Sequence, residues 1–162
     1  MGRLLQGDVG CGKTVVALLA AIAVMERGYQ VAWMVPTEIL AEQHARSAED
    51  LLRKTRHAMV LLTSQSRISS GGDLLPTIEQ GRAGLVIGTH ALIQDAVRFQ
   101  RLALVVVDEQ HRFGVRQREL LGGKGSNPHQ LFMTATPIPR SLAMPLYGDL
   151  DISLIDEMPP GR

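Results

Sequence analysis

One cysteine, Cys11, stands in 162 residues. A disulfide framework within the chain is therefore excluded, and no Cys/His spacing suggests a structural zinc. A reducing, cytoplasmic setting is expected. Charge of one sign is lacking too: 17 Lys and Arg face 16 Asp and Glu, for a net charge of +1. No general field draws such a chain to nucleic acid or to a membrane, so any such contact has to come from charge placed locally. Apolar runs are short. Val15 to Met25 holds eleven apolar residues, against about 20 needed to span a bilayer. Arg3 and Lys13 ahead of that run fit the loop described below better than a signal peptide. Position six is Gln6 instead of Ser or Thr, which excludes N-myristoylation at Gly2. Internal repeats and low-complexity tracts are absent as well. No membrane partner is expected.

What is present is an ordinary globular composition, 45% hydrophobic and 20% charged, long enough for one domain with a sizeable core. Strand-like runs fall at Leu4-Leu5, Val31 to Val35, Ala58 to Leu62, Leu85 to Ile87, Leu102 to Val107 and Gln130 to Met133. Helical candidates lie between them at Lys13 to Arg27, Glu38 to Lys54, Leu74 to Gln80, Val115 to Leu121 and Pro139 to Leu146. Runs such as LALVVV are apolar at every position, as when helices cover both faces of a parallel sheet. The expected class is α/β, a mostly parallel sheet with helices on both faces. Ligands of such folds gather at the carboxyl ends of the strands. Ser64 to Gly72 and Gly122 to His129 have the composition of loops. Residues 1–157 are expected to form the domain. Met158 to Arg162 reads as the start of a linker, and with little ahead of Arg3 both ends suggest a piece of a longer protein.

The densest chemical signal is Gly7 to Thr14, GDVGCGKT, which fits G-x-x-x-x-G-K-[ST]. Its residues Gly7, Asp8, Val9, Gly10, Cys11, Gly12, Lys13 and Thr14 describe a cradle for the phosphates of a nucleotide. The glycines permit backbone angles that turn successive N–H groups inward. Lys13 brings a point charge to the outer phosphates, and the Thr14 hydroxyl is a natural ligand for Mg²⁺. A strand ahead and a helix behind aim a helix N-terminus at the anion.

A second signal lies ninety-five positions after Lys13, where LALVVV ends in Asp108-Glu109. An aspartate there can hold the Mg²⁺ ion, and the adjacent glutamate can accept a proton from an attacking water. For an arbitrary Asp-Glu pair, solvated turn residues would be the plain reading. The order of loop, apolar strand and acidic pair favours catalysis.

The continuation Gln110-His111 makes DEQH, and with Arg112-Phe113-Gly114-Val115 it resembles the DExH box of superfamily-two helicases, in particular the RecG branch of DNA helicases. Pro36 to His44 (PTEILAEQH) is similar to motif Ia of that family, Gly88 to Gln94 (GTHALIQ) to another of its blocks, and Met133 to Arg140 (MTATPIPR) to its extended motif III. The related Mfd translocases share TATPIPR but carry DEEHRFGV, so Gln110 leans toward RecG.

The resemblance implies a three-layer RecA-like motor domain that uses ATP and Mg²⁺. It implies a monomeric, nucleoid-associated bacterial protein that remodels stalled forks and branched DNA junctions in recombination and repair. It assigns Lys13, Asp108, Glu109, Gln110 and His111 to catalysis, with Thr14 and Asp108 as metal ligands. Thr37 and Glu38 are implied DNA-backbone contacts, although Thr37 also reads as a plain helix cap. Thr89 and His90 are implied as a second contact, with His90 equally readable as a loop histidine. Thr134, Ala135 and Thr136 would receive the nucleotide state through Gln110 and His111, or else cap the Pro139 helix.

Cys11 stands where the family often has Ser, and a thiol at a helix N-terminus is expected to be reactive toward alkylating reagents. Ser64-Gln65-Ser66 and Ser69 to Gly72 depart from the family's basic loop, leaving Arg67 as its cation, and Ser141 replaces a Thr. The family's arginine finger, second motor domain and junction-recognising wedge have no counterpart here. The fragment alone is therefore expected to hydrolyse ATP poorly and to contact only two or three DNA phosphates. A third reading, a nucleotide-binding module without catalysis, is opposed by the intact Lys13, Thr14, Asp108 and Glu109.

Overall fold

The computed structural model describes residues 1–64, 74–109, 115–136 and 150–157. Seven strands form one sheet in the order β3-β4-β2-β5-β6-β1-β7, and every neighbouring pair is parallel. In chain order they are β1 (Gly2–Gly7), β2 (Gln30–Met34), β3 (Ala58–Leu62), β4 (Ala83–Gly88), β5 (Leu102–Val107), β6 (His129–Thr134) and β7 (Asp151–Ile155). The helices are α1 (Lys13–Met25), α2 (Glu38–Leu52), α3 (Leu75–Glu79) and α4 (Val115–Gly122), with a 3₁₀ turn at His90–Ile93. The expected class is correct, and the sheet is wholly parallel.

Period-two alternation splits the strands between two cores. Val31, Trp33, Leu104 and Val106 pack under α1 and α2 with Ala17, Leu18, Ala41 and Ala45. Ala32, Met34, Val105 and Val107 face the opposite layer, with Ile78, Leu92 and Leu121. Burial on both faces explains why these strands lack a polar stripe. Helix α1 ends at Met25, two residues earlier than expected. Gly28 then turns with φ 77° and donates to the Met25 carbonyl, a glycine-bearing stop.

The sequence reading missed β7. Its residues DISLI alternate polar and apolar, and the strand is an edge with Leu154 exposed. Arg3 on β1 fastens it, donating to Ser153 Oγ at 2.6 Å and pairing with Asp151 at 3.5 Å. The Pro139 to Leu146 helix, the Met158 to Arg162 linker and most of the Ser64 to Gly72 loop fall outside the described residues. Among the described residues, no helix is long and apolar enough to cross a membrane.

Candidate functional site

Because all seven strands run one way, their carboxyl ends share one edge, and the sequence motifs collect there. β1 runs into the glycine loop and β5 into Asp108-Glu109, while β6, lying between them, ends in Thr134. Register aligns Gln6 with Thr134, and Val107 with Phe132. Asp108 therefore sits level with Met133 and Leu5, two interstrand spacings or about 10 Å from β1, and the glycine loop begins three residues further along.

Gly12 is the N-cap of α1 with φ 103°, Gly10 has φ 85°, and the helix has neither a side-chain cap nor an acidic residue in its first turn. Its first N–H groups are left for an outside acceptor. Gly7 serves close packing instead. A Cβ there would meet the Cys11 sulfur at 2.5 Å and the Ile155 carbonyl at 3.0 Å. Lys13 Nζ folds back over the loop, donating to the carbonyl oxygens of Gly7 and, at 2.9 Å, Asp8. Asp8 and Val9 are exposed at the loop's tip. A pocket of about 240 Å³ opens beside it, lined by Gly7, Asp8, Ala135 and Asp156 among others.

The expected reactivity of Cys11 is corrected by its position. The side chain is 7% exposed and tucked behind the loop against Gly7, so a reagent reaches it only if the loop opens. Asp108 is buried as well. Its Oδ1 accepts the Glu109 N–H at 2.9 Å, and its Oδ2 lies 2.7 Å from His44 Nε2. Glu109 sits at φ 50°, a left-handed conformation unusual for a residue with a Cβ. Gln110 and His111 lie outside the described residues.

Thr37 is the N-cap of α2, accepting from Leu40 N at 3.3 Å, and is exposed. The cap reading and the surface reading of that hydroxyl are compatible. Glu38 is engaged elsewhere: its Oε1 accepts the Ser64 N–H at 3.1 Å, tying α2 to the loop after β3. A carboxylate in that role also repels phosphate, which counts against a DNA contact by Glu38. Thr89 is 2% exposed, and its hydroxyl has no hydrogen-bond partner among the described residues. Its side chain therefore does not reach a backbone phosphate, and the exposed group of that turn is His90. Thr134 is buried, and its hydroxyl accepts the Thr136 N–H at 3.1 Å. Ala135 lines the pocket beside the glycine loop, and Thr136 is exposed.

His44 was not singled out from the sequence. It occupies a core position of α2 whose other buried members are Ala41, Ala45, Ala48 and Leu52. One large polar side chain in a row of alanines was the available signal. The donors fit a magnesium–triphosphate group in kind: hydroxyl and carboxylate oxygens for the ion, N–H groups and an ammonium for the phosphates.

A much larger cavity, about 760 Å³, lies at the opposite edge between α1 and the starts of β5 and β6, lined by Arg27, Tyr29, Arg101, Lys124 and His129 among others. None of the motif residues line it, so size does not mark the chemistry here.

Residues 3–144 match the family model described as DEAD/DEAH box helicase. The chain is 57% identical over its whole length to the ATP-dependent DNA helicase RecG of Streptococcus pneumoniae, covering 24% of that protein. It is 56% identical to those of Aquifex aeolicus and Bacillus subtilis, covering 21% and 24% of them. It thus spans about a quarter of the length of the curated relatives it matches. Among solved structures, RecG bound to a three-way DNA junction is similar over 99% of this chain and 21% of that one, with 49% identity and a TM-score of 0.82. The Pyrococcus furiosus Hef helicase domain shares the fold at 23% identity, covering 98% of this chain and 35% of that one, with a TM-score of 0.71.

Proposed function

The chain belongs to the DEAD/DEAH box helicase family, and from that premise we propose that residues 1–157 are the ATP-binding motor domain of a RecG-like ATP-dependent DNA helicase. Its work would be fork reversal and branch migration in recombination and repair. The observation that carries this reading is the lateral order β5, β6, β1, with the acidic pair, Thr134 and the glycine loop at three adjacent strand ends. An Mfd-like translocase is not favoured, because the relatives named above are RecG helicases and position 110 is Gln.

The loop amides and the N-terminus of α1 would take the phosphates. Lys13 would exchange the Gly7 and Asp8 carbonyls for the outer phosphates. Thr14 and Asp108 would hold Mg²⁺, which neutralises phosphate charge when bound. Glu109 would accept the proton of the attacking water, and Thr134 and Thr136 would pass on the nucleotide state. Thr37 and His90 remain as DNA-backbone contacts at the same edge. An arginine finger from a second motor domain contributes roughly 10³–10⁵ in turnover, so this domain alone hydrolyses ATP slowly.

The test is titration with a fluorescent ATP analogue. Lys13→Ala should weaken binding about 100-fold, as for loss of a charge-assisted bond, without lowering the melting temperature. Undiminished binding in that variant overturns the assignment.

A further inference from the structure

Resting on that reading of Asp108, we propose that His44 is a positioning residue that fixes the Asp108 carboxylate for the metal ion and makes helix α2 part of the nucleotide site. A carboxylate only accepts hydrogen bonds, so the 2.7 Å contact requires the proton on His44 Nε2. The two side chains are 11% and 12% exposed, so water does not compete for either. The other carboxylate oxygen is held by the Glu109 N–H. With one donor on each oxygen the carboxylate cannot rotate about its own bond. What stays open on each oxygen is a lone pair.

The imidazole is itself held. The ring of Trp33, fully buried on β2, lies 5.1 Å from it centroid to centroid at an interplanar angle of 34°. Ala41, Ala45 and Ala48 let α2 approach the sheet closely enough for His44 to reach the end of β5. α2 also begins at Thr37, about two turns away along the same rigid helix. A displacement of that end therefore moves the donor on Asp108. Groups that orient a metal-bound carboxylate typically change metal affinity by about 10–100-fold when removed.

The test compares wild type, His44→Ala and His44→Gln by the Mg²⁺ concentration that half-saturates binding of a fluorescent ADP analogue, with melting temperatures measured in parallel. His44→Ala should raise that concentration about tenfold while leaving affinity in EDTA unchanged. His44→Gln, which keeps an N–H donor at similar reach, should return most of the wild-type Mg²⁺ response. Equal Mg²⁺ dependence in all three, or a fall in melting temperature with no change in that dependence, overturns the proposal. If His44→Ala does not fold, His44→Asn takes its place. Its shorter side chain withdraws the donor, and the same raised Mg²⁺ requirement is expected. Failure of wild type to bind nucleotide at all would instead remove the assignment of Asp108 on which the inference rests.

Discussion

The two edges of the sheet treat their polar groups in opposite ways. At the amino edge, Gln30 is 2% exposed and all of its hydrogen-bonding capacity is spent. Its Nε2 donates to the carbonyls of Ile78 and Ala83, and its Oε1 accepts from Gln100 N and Arg101 N. One amide thereby joins β2 to α3, β4 and the approach to β5. At the carboxyl edge α1 has no side-chain cap and Glu109 holds a left-handed backbone. Each edge also carries a non-glycine residue at positive φ, Asn127 at the amino end and Glu109 at the carboxyl end. Asn suits that conformation and Glu does not. The amino edge is built for stability, and the carboxyl edge keeps groups whose partners come from outside.

The largest way to break this contrast is at Glu109. In the full-length protein, Glu109→Gln should leave nucleotide binding intact and slow single-turnover hydrolysis by about 10²–10⁴, read as phosphate release. Hydrolysis within a few-fold of wild type would make the carboxyl edge a binding surface only. Next in size is Gln30→Leu, which keeps the bulk but removes four hydrogen bonds. It leaves the Gln100 and Arg101 N–H groups without their acceptor, while the Ile78 carbonyl still accepts from Gly81 N. Unsatisfied buried groups cost about 1–3 kcal/mol each, and the losses are not additive. A fall of about 3 kcal/mol in urea unfolding is expected, with nucleotide affinity of the folded fraction unchanged. An unaltered urea midpoint would deny the amino edge its structural role. Glu109→Gly sharpens the comparison from the other side. Relief of the left-handed strain is worth about 1 kcal/mol, so this variant should be at least as stable as wild type while losing hydrolysis. Asn127→Gly should change stability by less. A clear loss of stability in Glu109→Gly would show that the glutamate is there to hold the fold.

The carboxyl edge was the legible one in the sequence, and its chemistry explains why. A phosphate cradle needs glycines at fixed spacing with a lysine, and a metal site needs an acid at the end of an apolar strand. Both requirements leave residues that can be read locally. Strand and helix runs were legible for the same reason, since burial on both faces removes polar positions from LALVVV. Three features were not. β7 is a five-residue edge strand, DISLI, shorter and more polar than the wholly apolar runs of the central strands, and it is tied to β1 through Arg3, about 150 positions away in the chain. The His44–Asp108 contact joins positions 64 apart in the chain, which no local pattern encodes. The burial of Cys11 depends on Gly7 leaving room for its sulfur, so a helix-terminal position gave the wrong accessibility.

The smallest expected effect tests whether the amino edge is as fully satisfied as Gln30 suggests. Lys124 Nζ donates to the carbonyls of Gln94 and Val97, each at 2.7 Å. Its pKa is nevertheless lowered from 10.5, by burial first; Asp95 opposes that shift and Arg98 adds to it. Two good hydrogen bonds favour the ammonium, and burial disfavours it. The lowered value means burial wins, because a neutral amine can still donate both bonds. The folded chain then holds this proton less tightly than the unfolded chain. Stability should therefore rise with pH between the lowered value and 10.5. Below that window the charged form's burden is constant. Urea midpoints of wild type and Lys124→Gln, compared from neutral pH to about 10, should shift in favour of wild type as pH rises. A gap that stays flat, or moves the other way, would mean that the two carbonyls outweigh burial. The ammonium would then be as well satisfied as the amide of Gln30, leaving the amino edge without a strained polar group at that point.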